Sequence, residues 1–286
     1  MRTQVLPVLV AGLLVVGCGG AQQQSESPPS SSGTAAAQSP APGPEDDAPD
    51  GTGTMIVTYE DAQTPEAIAG RELLQDNQVL EDLADDINQS LALPDGVALL
   101  GSQCDEANAF WDSGAQSITL CYEDAALAEQ IFTEAGDPDP VASALNSEYA
   151  TFYHEVGHMA ISVYDLPVTG REEDVADQLA AYVLLQPDED GQIDPESVQA
   201  VKDFARTFGT SGEQRSELGS EDFADVHSLD ETRMFNLQCW IYGADPETNG
   251  DVVSGGELPE DRASGCEDEW LQLDKAWSTL LEPHFK

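Results

Sequence analysis

The chain has 286 residues, with 55 acidic against 10 basic side chains and a formal net charge of −45. A surface this acidic repels phosphates, which excludes nucleic acid as a partner. It fits either a saline habitat or ordinary solubility, and around a metal site its field attracts divalent cations and cationic peptides.

In chain order, Met1 and Arg2 give a short positive start, and Val5 to Val16 is an apolar run broken only by Pro7 and Gly12. The run is too short to span a bilayer and reads as a signal-peptide core over residues 1–17. It ends in Leu14-Val15-Val16-Gly17-Cys18, which resembles the lipobox of bacterial lipoproteins, with Val15 where Leu is more usual. That resemblance implies cleavage before Cys18 and acylation of its thiol. The expected address is extracytoplasmic, with the chain anchored to the cell envelope by lipid. Gly19 follows the cysteine rather than the Asp that often signals inner-membrane retention, which tips the reading towards an outer membrane.

Residues 18–54 are rich in Gln, Ser, Pro, Ala and Gly, too poor in apolar surface to offset their ordering entropy, and are expected to be a disordered tether. Residues 55–286, about 230 in all, suffice for one domain with a real core. With Cys18 lipidated, Cys104, Cys121, Cys239 and Cys266 form an even set, as expected outside the cytoplasm. Three pairings are possible; Cys104 with Cys121 and Cys239 with Cys266 is favoured because each closes a local loop. A cysteine zinc site is the alternative, but no close C-x-x-C pair exists.

Met55 to Tyr59 reads as a strand. Thr64 opens one long helical stretch to about Leu91, with Pro65 in its first turn and apolar positions at Ile68, Leu73, Leu74, Leu80, Leu83 and Ile87. Pro94-Asp95-Gly96 is a turn. Strands follow at Val97–Leu100, Ala109–Trp111 and Ser117–Tyr122, the last two joined by the Asp112-Ser113-Gly114 turn, and from Glu123 the pattern is mainly helical. The order predicts an α+β fold, a small strand-rich N-terminal part followed by helices.

The chemistry concentrates in two of those helices. His154 and His158 lie four positions apart on a helical stripe from Tyr149 to Tyr164, so their rings leave one face on adjacent turns and can reach one cation. Glu155 follows the first His and can take a proton from a water activated at the metal and pass it to a leaving amine. This is the HExxH pattern of zinc peptidases. Two of only four histidines fall in it, and Gly157 inside a helix points to close backbone packing. The helix should stop near Asp165-Leu166-Pro167, Gly170 permits a turn back, and Arg171 to Gln178 opens a second helix with acids in its first turn.

Glu173 and Asp177, four apart on that helix, resemble the E-x-x-x-D segment of gluzincins such as thermolysin. By that resemblance Zn²⁺ is held by His154, His158 and Glu173, while Asp177 orients one of the histidines. The gap from His158 to Glu173 is shorter than in thermolysin, so Asp177 as a direct ligand stays open. Asn108-Ala109-Phe110-Trp111 resembles the thermolysin edge strand whose Asn and Ala hold a peptide substrate in extended form. His227 is a candidate to stabilise the oxyanion, with Asp225 or Asp230 fixing its tautomer, and Arg233 is a second candidate. His284 is expected to be incidental.

The segments HEVGH, GREEDVADQLAAY, ITLCYE, DVHSLDETRMFNLQCWIYG and LPEDRASGCEDEW together resemble a bacterial family known only as metallopeptidase-like proteins of unknown function. That resemblance implies a zincin-like fold, with an edge strand above the HExxH helix, and hydrolysis of a peptide or protein substrate. A non-catalytic metal-binding envelope lipoprotein is the alternative function.

Overall fold

A computed structural model of the chain describes residues 51–214 and 217–286. The expected signal peptide, Cys18 with its lipid, and most of the expected tether lie outside the described residues. No helix among the described residues is long and apolar enough to cross a membrane.

The N-terminal part is a sheet of four strands, β1 (Met55–Tyr59), β2 (Val97–Ser102), β3 (Ala109–Asp112) and β4 (Ser117–Cys121), in the order β1-β2-β4-β3. β1, β2 and β4 are parallel, whereas β3 pairs antiparallel with β4 and forms one edge. β4, paired on both sides by β2 and β3, is buried throughout, with Ser117 and Thr119 buried beside Ile118 and Leu120. Tyr122, expected to end this strand, instead opens a helix, α3 (Tyr122–Ala135), with Cys121 as its N-cap.

Between β1 and β2 the single helix expected from Thr64 to Leu91 is two, α1 (Pro65–Asp76) and α2 (Val79–Ser90). Gln78 takes a left-handed conformation at φ 55°, and the Asn77 side-chain amide donates to the Leu73 carbonyl, closing α1. The break lets each piece bury its own face, Leu73 and Leu74 on α1 and Leu80, Leu83 and Ile87 on α2. Ile68, which belonged to the unbroken stripe, is left exposed.

The rest is helical: α4 (Pro140–Val163), α5 (Glu172–Leu184), α6 (Pro195–Gln214), α7 (Ser220–Ala224), α8 (Asp230–Ala244), α9 (Asp251–Ser254), α10 (Glu260–Ala263) and α11 (Cys266–Leu281). The α+β order read from the sequence therefore holds. α4 starts with Pro140 in its first turn and the Asp139 side chain accepting from the Ala142 N–H, a standard N-cap. It ends where Asp165 and Gly170 take positive φ values, which the return to α5 needs.

α4 and α5 pack antiparallel, and Gly157 lets their backbones come close. A Cβ there would lie 2.8 Å from the Ala176 Cα, a backbone atom that cannot swing aside. Gly157→Ala should therefore force the helices apart and destabilise the chain by about 1–3 kcal/mol despite the better helix propensity of Ala. Urea denaturation would measure the loss, and metal affinity should fall with it because the same interface sets the ligand geometry.

Two disulfides join Cys104 to Cys121 and Cys239 to Cys266, the favoured pairing. The first ties the loop before β3 to the end of β4. The second ties α8 to α11.

Candidate metal centre

On α4 the i, i+4 spacing puts the His154 and His158 rings edge to face, with their Nε2 atoms 3.3 Å apart. The return through Gly170 brings the first turn of α5 against them. Glu173 Oε2 lies 3.2 Å from His154 Nε2 and 3.3 Å from His158 Nε2. Among the described residues these three form the one cluster of His, Cys, Asp or Glu donors close enough to share an ion. The short gap between His158 and Glu173 places the acid at the very start of α5, and it still reaches.

The far sides of both rings are held. His154 Nδ1 lies 2.8 Å from Asp177 Oδ1, and His158 Nδ1 lies 2.9 Å from Glu172 Oε1. Nδ1–H donated to a carboxylate leaves the Nε2 lone pair free to face an ion, the arrangement that fixes tautomer and raises ligand basicity. Asp177 is itself gripped by the Arg233 fork, Nε to Oδ2 at 2.7 Å and Nη2 to Oδ1 at 2.6 Å. With both oxygens taken, Asp177 stands behind His154 rather than among the converging donors. Arg233 stacks over the Phe208 ring, and its fork is spent on Asp177, not turned to an oxyanion.

The electrostatics favour positive charge at this point. Burial opposes protonation of His158, but the Glu173 and Glu172 carboxylates outweigh it and push its pKa up to about 9. Burial likewise opposes protonation of His154, yet Asp177 and Glu173 raise its pKa. Burial would neutralise Glu173, but the surrounding His154, His158 and His227 rings hold its carboxyl far below the usual range. Protons are here drawn to the place where a divalent cation would sit, and such an ion would displace them. Two imidazole nitrogens and one carboxylate oxygen, each braced from behind, are a donor set that suits a borderline-soft divalent ion with one position left open.

Glu155 is buried next to this cluster but does not belong to it. Burial raises its pKa; the two histidines lower it, Glu173 raises it, and the Trp111 backbone N–H favours the carboxylate. A carboxylate shifted upward lies nearer the range useful to a general base at neutral pH.

The cluster opens into a cleft of about 490 Å³. One wall is the β3 edge with Asn108, Ala109, Phe110 and Trp111; another is α6, through Phe204, Thr207, Phe208 and Ser211; His227 closes a third side. His227 Nε2 is 3.1 Å from Glu173 Oε2, and its Nδ1 is 2.9 Å from Asp225 Oδ1. Glu173 and Asp225 raise its pKa against the effect of burial. The Arg171 guanidinium holds this segment in place by donating to the carbonyls of Asp225 and His227. His284 stacks on Tyr164 and does not line the cleft.

The residues expected at the site thus share one cleft, apart from Asp177, which sits just behind it. Such a centre, built on a HEVGH helix and its return helix, can be set against known families. The family DUF4344, described as "Putative metallopeptidase", matches residues 59–281. The chain belongs to this family. The match takes in both disulfides, the β3 edge and every residue of the cluster, and it stops short of the N-terminal 58 residues. Family membership carries a metal ion and peptide hydrolysis at the coarse level of its description. No curated protein and no solved structure matches the chain.

Three features of the site escaped the sequence. Glu172 was one of several acids opening α5, with nothing to mark it as the partner of His158. Phe204 and Phe208 form an ordinary helical apolar pair, indistinguishable from core. Arg171 looked like any helix-start residue, and its contacts 54 and 56 positions away have no local signature.

Proposed function

We propose that this chain is a zinc-dependent peptidase whose ion is held by His154, His158 and Glu173. The observation that carries the reading is the convergence of those three donor atoms with both Nδ1 positions already committed to carboxylates. When bound, the ion supplies Lewis acidity, lowering the pKa of a water and polarising a carbonyl.

The protein's own groups do the rest. An extended peptide adds to the open edge of β3, its backbone aligned by Asn108 and Ala109. Glu155 takes a proton from the attacking water and delivers it to the departing amine. His227, whose protonated form Glu173 and Asp225 favour, donates to the oxygen that gains charge. Asp177 and Glu172 keep the ligand rings aimed, and Arg233 keeps Asp177 ionised and fixed. The low-dielectric walls of Phe204, Phe208 and Trp111 strengthen these interactions by excluding water.

The lipobox-like Leu14 to Cys18 segment supports an extracytoplasmic chain anchored by lipid at Cys18, with residues 18–54 as the tether and 55–286 as the hydrolytic domain. Both disulfides accord with that compartment.

A chelator should abolish cleavage of an unstructured protein substrate by the purified chain, and stoichiometric zinc should restore it. Cleavage that persists in full through chelation and dialysis would refute the reading.

A further inference from the structure

The wall of the cleft on the α3 side carries a feature that the peptidase chemistry does not use. Asp124, in the first turn of α3, lines the cleft. Directly behind it Glu148 of α4 is completely buried. Neither Glu148 oxygen has a well-formed hydrogen-bond partner, and the group it meets is the Asp124 carboxyl. Two carboxyls facing one another out of water cannot both ionise at ordinary cost. Burial raises the pKa of both, that of Asp124 to about 6, and Glu148 is the harder to ionise. The pair is relieved when Glu148, the more deeply buried, holds a proton, and Asp124 then presents one negative charge to the cleft.

Among the described residues no ion pair to Asp124 is seen. Arg206 on α6 is committed to Asp137 and Asp203, and Arg233 to Asp177. Beside Asp124 the cleft wall is apolar: Leu127, Ala128 and Ile131 from α3, faced by Phe204 and Phe208 from α6. An apolar slot with one anionic group complements a side chain with a long aliphatic stem and a cationic tip. Glu148 precedes Glu155 by two helical turns, about 10 Å along α4. That is the span of about three residues of extended peptide, or of one residue with the long side chain it carries.

We infer that Asp124, backed by Glu148, is a specificity subsite for a Lys or Arg side chain of the peptide substrate. The inference deepens the peptidase reading and rests on the same cleft. It is tested by binding, so that it can fail separately from hydrolysis. The zinc-loaded Glu155→Gln chain is titrated with N-acetylated peptides that carry Lys, Arg, Met or Gln at each position in turn. At one position Lys and Arg should bind roughly 10-fold or more tighter than Met, the worth of a charge-assisted hydrogen bond in a screened site. In Asp124→Asn the Lys-to-Met ratio should fall to about 1, with zinc content reporting that the fold is intact. Should that variant misfold, Leu127→Lys, which adds a cation to an exposed position on the same wall, should invert the ratio.

The inference is overturned if no position prefers a basic side chain, if the preference survives Asp124→Asn, or if it appears only with a free amino terminus. Cleavage by the wild-type chain without any basic preference would sink the subsite alone. Basic preference in binding with no cleavage by the wild type would sink the peptidase reading alone.

Discussion

Glu155→Gln should reduce peptide hydrolysis by about 10²–10⁴-fold, the usual contribution of a positioned general base, while zinc content stays at the wild-type level. The two halves of this expectation rest on different atoms. Glu155 is buried beside the donor cluster but is not one of the converging donors, so an amide there removes no ligand. It does remove a buried carboxylate that lines the cleft and is not a ligand. Gln keeps the shape of Glu, so the local packing of α4 is retained. Activity assays with a quenched-fluorescence peptide and metal analysis of the same preparation would check both halves. Equal activity in the variant would take Glu155 out of the mechanism and favour a metal-binding role without catalysis.

Asp177→Ala is expected to have the largest effect on stability. The carboxylate joins three elements: it holds His154 on α4 from α5, and it neutralises Arg233, which is itself buried on α8. Burial would raise the Asp177 pKa, yet Arg233 first and His154 second hold it below the usual carboxylate value. Removing it leaves a guanidinium without its partner in a site closed to water. Breaking a buried pair from one side typically costs about 3–5 kcal/mol. The same change frees the His154 ring, and loss of such a support lowers metal affinity by about 10–100-fold. Urea denaturation of the metal-free chain reads the first effect, and competition with a chromophoric chelator reads the second. Asp177→Asn, which keeps the shape and one acceptor, should fall between the two. If Asp177→Ala melted like the wild type, the Arg233 contact would have no energetic weight and the account of the α5–α8 junction would fail.

Much of the centre could be read from spacing alone, because helical geometry is local. Two histidines four apart must share a face, and Gly157 in mid-helix announced the close approach that Ala176 supplies. The chain reversal was marked by Gly170, and the acids at the start of α5 followed the helix dipole. The disulfide pairing was legible because short loops close most readily. What failed was anything decided by tertiary packing. Nothing in Asn77-Gln78 warns of a left-handed residue, and the unbroken apolar stripe argued for one helix. The stripe was real, but α1 and α2 bury it in different places and Ile68 is left outside. By sequence Arg233 is a candidate for the oxyanion, because nothing local marks Asp177, 56 positions away, as its partner. Asp124 and Glu148 drew no notice in a chain with 55 acids, although a fully buried carboxyl is informative as soon as the structure places it.

The most direct test of the metal centre is zinc stoichiometry by plasma emission in the wild-type chain and in Glu173→Ala. The wild type should hold one zinc per chain after dialysis. Glu173→Ala, which leaves two imidazoles without their carboxylate, should retain almost none under the same conditions. A wild-type chain that comes through zinc loading and dialysis empty, or a Glu173→Ala chain that stays fully loaded, would contradict the account.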